Sequence, residues 1–161
     1  MSRTFGSYAK LTKPKISEIA LHLFAERGYA AVSMRQIASK VGLQVGALYN
    51  YFPDKQAILS ELLINHMENL LQTWHKQKLP VKPDKLLEFF VDFHIEYHLN
   101  CPEEVFIAYM ELRNLTPENF KKIEKLRNKY ELILSKILSD GVTKKFFSCE
   151  EIKIASLAII G

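Results

Sequence analysis

The strongest constraint on this chain is a three-residue connection, Gly42-Leu43-Gln44, set between two stretches too short to be stable helices alone. Ser33 followed by Gln36 has the form of a capping box, which predicts a short helix through Met34, Ile37 and Ala38 to Val41, with Gly42 as its left-handed stop. A second short helix is expected from Val45 to Tyr51, ended by Phe52-Pro53 because the residue before a proline avoids the helical region. Both need longer neighbours to pack on. One precedes them: between Pro14 and Arg27, Ile16, Ile19, Ala20, Leu23 and Phe24 recur at three and four, and Gly28 stops the run. One follows: Asp54 caps a long helix with the stripe Ile58, Leu59, Leu62, Leu63, His66, Met67, Leu70, Leu71 and Trp74.

The helical pattern continues to the last residue. Lys78 to Lys85, with Pro80 and Pro83, reads as a hinge-like connection with Asp84 as cap, followed by Leu86, Phe89, Phe90, Phe93 and Tyr97. Pro102 with Glu103 and Glu104 opens a helix expected to reach Asn114. Thr116-Pro117-Glu118 opens another, with a face from Phe120 through Tyr130 to Leu138, ending at Gly141. Ser148 with Glu151 reads as a second capping box before Ile152 to Ile160. No strand alternation, repeat or low-complexity segment interrupts the pattern, so the fold class is all-α.

Charge is distributed unevenly. Residues 1 to 60 hold eight Lys/Arg against three acids, a net +5, while residues 61 to 161 hold fourteen against fifteen, a net −1. The formal +4 of the chain therefore lies in the part that carries the two short helices, which points to a polyanionic partner there and a different task for the remainder. Two short helices across a tight glycine turn, flanked by longer ones, is the helix-turn-helix arrangement. The helix from Ser33 is suited to lie across a phosphate backbone, with its free N-terminal amides and the Ser33 hydroxyl toward a phosphate. The helix from Val45 is suited to enter the major groove, exposing Gln44, Val45, Ala47, Tyr49 and Asn50, with Leu48 and Phe52 turned inward. Gly46 allows close approach of a duplex.

The blocks Phe24-Ala25-Glu26-Arg27-Gly28-Tyr29, Ser33-Met34-Arg35-Gln36-Ile37-Ala38, Val41-Gly42 and Gly46 to Lys55 resemble the N-terminal domain of the TetR family of bacterial transcriptional regulators over about residues 14 to 60. The resemblance implies an all-helical homodimer bound to a palindromic operator, usually a repressor released by a small molecule held in the C-terminal domain. It places Ser33, Arg35, Tyr49, Tyr51 and Lys55 where family members contact phosphates or bases. Gln44 and Val45 depart from the Ser-Lys pair many members carry. Val45 can touch a thymine methyl but cannot donate to guanine, so base preference does not carry over. Taken without the resemblance, Tyr49, Tyr51 and Phe52 are equally compatible with packing, and Arg35 and Lys55 with solvated surface charge. Arg3, Lys10, Lys13 and Lys15 read as a disordered tail or as an arm for the minor groove.

The expected organisation is a three-helix DNA-binding domain over residues 1–56 and a helical effector-binding and dimerisation domain over 57–161. The last helix of the second domain reads as cut short. Its aromatic and Met positions are more often core than pocket, but the resemblance implies that some line an effector site. Phe93, Tyr97, Phe106, Tyr109, Met110, Arg113 and Tyr130 are the candidates. Arg113 is either a surface or ion-paired charge or the partner of an anionic effector, because a guanidinium forks onto carboxylate or phosphate. The segment Tyr97 to Tyr130, with Glu111-Leu112-Arg113, Arg127 and Tyr130, is similar to that of regulators sensing acyl-coenzyme A or fatty acids.

Other classes find less support. His94, His98 and Cys101 share a helical face, but Pro102 breaks the helix after Cys101 and no second helix shows matching ligands, so neither a metal nor a cofactor is expected. No glycine-rich phosphate loop, nucleophile elbow or metal-hydrolase helix pair occurs, so the chain does not read as an enzyme. Two cysteines and no apolar leader in Met1 to Lys15 fit a reducing bacterial cytoplasm, with association with the nucleoid; no apolar run approaches a membrane span. Two alternatives stay open: a DNA-binding adaptor whose second domain holds a protein, and a helical metal or cofactor protein without an operator.

Overall fold

The structure, a computed structural model, describes residues 5–161, with side chains from residue 12 onward. The described residues form α1 (Phe5–Arg27), α2 (Met34–Val41), α3 (Val45–Leu48), α4 (Lys55–His75), α5 (Pro83–Leu99) and α6 (Pro102–Met110). A 3-10 turn (Leu112–Asn114), α7 (Pro117–Thr143) and α8 (Ile152–Ile160) follow, and no strand occurs among them. None of the described helices is long and apolar enough to cross a membrane. Two compact units result: one runs to Asn65 and takes in Glu103–Phe120, the other comprises His66–Pro102 and Lys121–Gly161. This grouping does not follow the linear division at residue 56, because α6 and the 3-10 turn pack in the first unit.

In the first unit α1 buries Ile16, Ala20, Leu23 and Phe24, α2 buries Met34, Ile37, Ala38 and Val41, and α3 contributes Leu48. The opening half of α4 adds Ile58, Leu59, Leu62 and Leu63, and α6 adds Ile107 and Ala108. Each large buried apolar side chain contributes roughly 1.5–3 kcal/mol, enough together to order helices as short as α2 and α3. The local signals read in the sequence hold. Ser33 caps α2 in a full capping box, with Gln36 N–H on Ser33 Oγ at 3.3 Å and Ser33 N–H on Gln36 Oε1 at 2.7 Å. Gly42 sits at φ 82°, and Leu43 N–H reaches back to the Ala38 carbonyl at 2.8 Å. Asp54 Oδ1 accepts Ala57 N–H at 2.7 Å at the start of α4.

Three boundaries in this unit differ from expectation. α1 begins at Phe5 and carries Pro14 inside it. Proline forfeits one helical hydrogen bond, but its φ suits a helix and Pro14 is exposed, so water can replace the lost donor. α3 ends at Leu48, and Tyr49 to Tyr51 continue as turns, with Tyr51 N–H on the Leu48 carbonyl at 3.0 Å, as the chain approaches Pro53. α6 stops at Met110 because Glu111 leaves helical geometry, at φ −106° and ψ 0°, to place its carboxylate in the interior.

The second unit is organised on the far half of α4. Met67, Leu70, Leu71 and Trp74 pack with Phe90 and Phe93 of α5 and with Tyr130, Leu134, Ile137 and Leu138 of α7. Trp74 meets Phe90 and Phe93 edge-on at centroid distances of 5.1 and 5.2 Å. Ile152, Ala155, Ile159 and Ile160 of α8 lie against this cluster, and the hydroxyls of Ser135 and the fully buried Ser156 meet at 3.0 Å. Lys82, not Asp84, occupies the N-cap of α5, since Pro83 already supplies the first helical residue. α7 runs through Gly141 to Thr143. Gly141 serves there by its lack of a side chain: an added Cβ would lie 2.0 Å from Cζ of Phe147. With that ring seated on α7, the chain stays irregular past Ser148, which does not cap; α8 begins at Ile152 behind Glu151, without a side-chain cap bond.

Candidate nucleic-acid interface

The first unit presents α3 with a sharply divided surface. Leu48 and Phe52 are buried at 0% and 1% exposure, and they anchor the short helix while Gln44, Gly46, Tyr49 and Asn50 stay open to solvent in whole or in part. Half of the Tyr49 surface is free, its ring a large apolar body with a polar tip. Gln44 occupies the N-cap of α3 but makes no side-chain cap bond, so its amide is not spent on the helix. A Cβ at Gly46 would meet nothing within 4 Å, and Gly46 shows no left-handed φ, so nothing inside the fold calls for glycine there. Val45 is half-buried, as is Tyr51. At the start of α2, Ser33 is exposed but its hydroxyl is held by Gln36, donating to Oε1 at 2.8 Å, while Arg35 is exposed beside it.

Lys55 is more committed than its place in the sequence suggests. Its Nζ donates to the carbonyls of Tyr29 at 2.6 Å and Val32 at 2.7 Å and stands 4.1 Å over the Tyr29 ring. It thereby ties the first residue of α4 to the loop between α1 and α2. Burial lowers its pKa, against the raising influence of Glu111. Tyr29 is held further by Gln56, whose Nε2 donates to the phenol oxygen at 2.9 Å, and by Glu111, which accepts its backbone N–H.

The reading of Lys13 and Lys15 as tail residues is corrected: both lie in α1. Lys13 pairs with Glu61 at 2.6 Å and covers the Phe52 ring at 4.9 Å, and Lys15 Nζ donates to the Val41 carbonyl at 3.3 Å. The helix carries on through Pro14, which brings both lysines back onto the unit's own surface. Arg3 and the Lys10 side chain lie outside the described residues.

The seven candidate effector residues fall into two groups. Phe93, Tyr97 and Tyr130 belong to the second unit, where Phe93 and Tyr130 are buried and Tyr97 is half-buried. Phe106, Tyr109, Met110 and Arg113 belong to the first unit and are exposed. Glu111 does not serve Arg113: one carboxylate oxygen accepts Tyr29 N–H at 3.1 Å, the other accepts from Asn114 Nδ2. Cys101 Sγ donates to the Tyr97 carbonyl at 3.1 Å, and among the described residues no three of His, Cys, Asp and Glu come together as metal ligands. Sequence reasoning missed the roles of Gln56 and Glu111, which reach Tyr29 across 27 and 82 positions. It also placed His66 only as part of a core stripe.

A buried Leu48 and Phe52 holding an exposed short helix behind a glycine turn defines a helical regulator of the helix-turn-helix class. The chain belongs to the TetR family. Residues 16–62 match the family model for bacterial regulatory proteins of the tetR family, and residues 80–161 match that for the tetracyclin repressor-like C-terminal domain. The chain is 32% identical over 93 residues to an HTH-type transcriptional regulator of Staphylococcus aureus (strain USA300), covering 52% of this chain. It spans half the length of that curated relative. Among solved structures, the TetR family regulator PfmR of Thermus thermophilus superposes with a TM-score of 0.84 at 30% identity, covering 90% of this chain and 78% of that one. AibR, in complex with isovaleryl coenzyme A and operator DNA, superposes with a TM-score of 0.83 at 21% identity over 93% and 82% of the two chains, a likeness of fold.

Proposed function

We propose that this chain is a cytoplasmic, nucleoid-associated DNA-binding regulator, a repressor that holds a palindromic operator as a homodimer and is released by a small hydrophobic or acyl-coenzyme A-type effector. The observation that carries the reading is the division of α3, with Leu48 and Phe52 sealed and Gln44, Tyr49 and Asn50 open, in the part of the chain with net charge +5. Residues 1–56 read DNA in this proposal: Ser33 and Arg35 meet phosphate, Gln44, Val45, Tyr49 and Asn50 meet base edges and sugar, and Gly46 admits the backbone. Tyr51 and Lys55 flank the contact, Lys55 mainly by holding the loop that carries α2. Residues 57–161 receive the effector through Phe93, Tyr97 and Tyr130, with Phe106, Tyr109, Met110 and Arg113 as further candidates. The coupling is thermodynamic: an effector that favours a dimer with misplaced α3 helices lowers operator affinity by the factor by which operator lowers effector affinity.

The test is retardation of a DNA fragment from upstream of the chain's own gene, titrated between about 50 and 200 mM salt. Binding that weakens on the order of tenfold or more over that range supports phosphate contacts. Failure to bind any such fragment, or a flat salt response, removes the reading. Loss of the retarded band on addition of an acyl-coenzyme A supports the effector class.

A further inference from the structure

Among the described residues, the two most exposed large apolar side chains stand at the two ends of one helix of the second unit. Val81, just ahead of α5, is 94% exposed, and Leu99, its last residue, is 75% exposed. Phe90 and Phe93 fix the inner side of α5 in the aromatic cluster. On the outer side the exposed positions Lys85, Glu88, Asp92, Ile95 and Leu99 recur at three and four, and the same spacing carried back one step reaches Val81. Leu79, before it, is exposed as well. Apolar surface left in water in this amount marks a contact that the single chain does not make.

The two ends carry opposite charge. Ahead of α5, Lys78 and Lys82 flank Leu79 and Val81, are exposed, and take part in no ion pair among the described residues. At the other end Asp92 and Glu96 are exposed and equally without an ion pair among those residues. Asp92, Ile95, Glu96, Leu99 and Asn100 line a recess of about 340 Å³ there. Asn100 Nδ2 donates to the Glu96 carbonyl at 3.0 Å, which leaves the charge of the recess to the two carboxylates. Between the ends Lys85 pairs with Glu88 at 2.6 Å, with Asp84 acting on the same lysine. One helix thus joins a cationic apolar patch to an acidic apolar recess.

We propose that the outer face of α5 is a contact surface for a second copy of this chain, the two helices lying antiparallel about a twofold axis. Lys78, Leu79, Val81 and Lys82 of each copy then meet Asp92, Ile95, Glu96 and Leu99 of the other. A twofold contact uses one patch on both copies, so a helix with complementary ends satisfies it twice over. The parallel arrangement sets cation against cation and acid against acid, and like charges facing each other exclude it. The seventeen residues of α5 rise about 25 Å, long enough to keep the two matches separate. The surface lies on the side of α5 away from Phe90 and Phe93 and leaves the aromatic core untouched. The inference goes beyond the regulator reading, which invokes a second copy without placing its contact.

The experiment is sedimentation velocity of the full chain over a series of concentrations, at about 50 and about 500 mM salt. Two charge-reversed chains are compared with the parent. One carries Asp92→Lys with Glu96→Lys, the other Lys78→Glu with Lys82→Glu, all at exposed positions, and circular dichroism confirms the fold of both. Each alone is expected to associate at least about tenfold more weakly than the parent at low salt, because like charges then face each other. Mixed in equal amounts, the two are expected to regain the parental association, since each supplies the sign the other has lost. Leu99→Ser, with every charge kept, is expected to weaken association at both salt concentrations. A parent that stays monomeric, association unchanged at every step in both charge-reversed chains, or a mixture no stronger than its components overturns the inference. Operator retardation by the unaltered protein separates this contact from the regulator reading. Retardation with association indifferent to these charges leaves the regulator and removes the α5 contact; charge-controlled association without retardation does the reverse.

Discussion

The carboxylate of Glu111 accepts the backbone N–H of Tyr29 at 3.1 Å across 82 positions of sequence. Both residues lie in the first unit, and the bond belongs to a closed ring of contacts. Glu111 also accepts from Asn114 Nδ2, the Asn114 carbonyl accepts from Gln56 Nε2, and Gln56 returns to the Tyr29 phenol. The ring follows Gly28, whose φ of 80° turns the chain out of α1. The turn that positions α2 is therefore held by residues read from sequence as belonging to the effector domain.

Glu111→Ala leaves a buried N–H without an acceptor and is expected to cost about 1–3 kcal/mol of stability, while Glu111→Gln retains an acceptor oxygen and costs less. Urea denaturation followed by circular dichroism checks the order; an Ala variant as stable as the parent would contradict it.

Tyr49→Ala removes an exposed side chain that supports little of the core. Operator affinity is expected to fall by more than about 1 kcal/mol with the melting temperature unchanged. Retained affinity in a folded variant would take Tyr49 out of the interface.

Lys55→Met should behave differently. It deprives the Tyr29 and Val32 carbonyls of a donor, so stability is expected to fall by about 1–2 kcal/mol along with operator affinity. A loss of affinity with no change in the urea midpoint would mean that Lys55 acts on DNA alone.

Acid should loosen the second unit. The pKa values of His66 and His94 are lowered to about 4 by burial first, then by His98, so between 6.5 and 4 the unfolded chain takes up protons the folded chain refuses. The stability that neutral His66 contributes is complete above about pH 6.5 and is lost as pH falls toward 4, on the order of 2 kcal/mol by pH 5. Urea midpoints at pH 7 and pH 5 measure this, and His66→Phe should reduce the difference, leaving the share that His94 carries. A midpoint insensitive to pH would show that the ring is protonated in the folded state.

Much of the helix-turn-helix unit is legible in the sequence, since its signals act over three or four residues. The Ser33–Gln36 box, the left-handed Gly42, the Asp54 cap and the period of the α4 stripe each involve neighbours along the chain. The helix ends that differ from expectation share another cause. Pro14 inside α1, Gly141 inside α7 and the early stop of α6 at Met110 depend on what lies beside them: water, the Phe147 ring and the pull of Glu111 toward the interior. The candidate site divides in the same way. Periodicity is enough to turn Tyr49 and Asn50 outward, while the engagement of Lys55 depends on a loop more than twenty positions earlier.

That this chain is helical throughout, where most of its helices begin, and which third of it carries positive charge are all written in the order of its residues. They follow from hydrogen bonds and side-chain spacing within a turn or two of helix. That Glu111 serves Tyr29, that Lys55 is a brace, and that His66 faces His98 rather than being one more core residue come from the folded arrangement alone. Glu111 and Lys55 find their partners, and His66 its neighbouring ring, wherever packing places them, and packing is set by elements that the local pattern does not relate to one another.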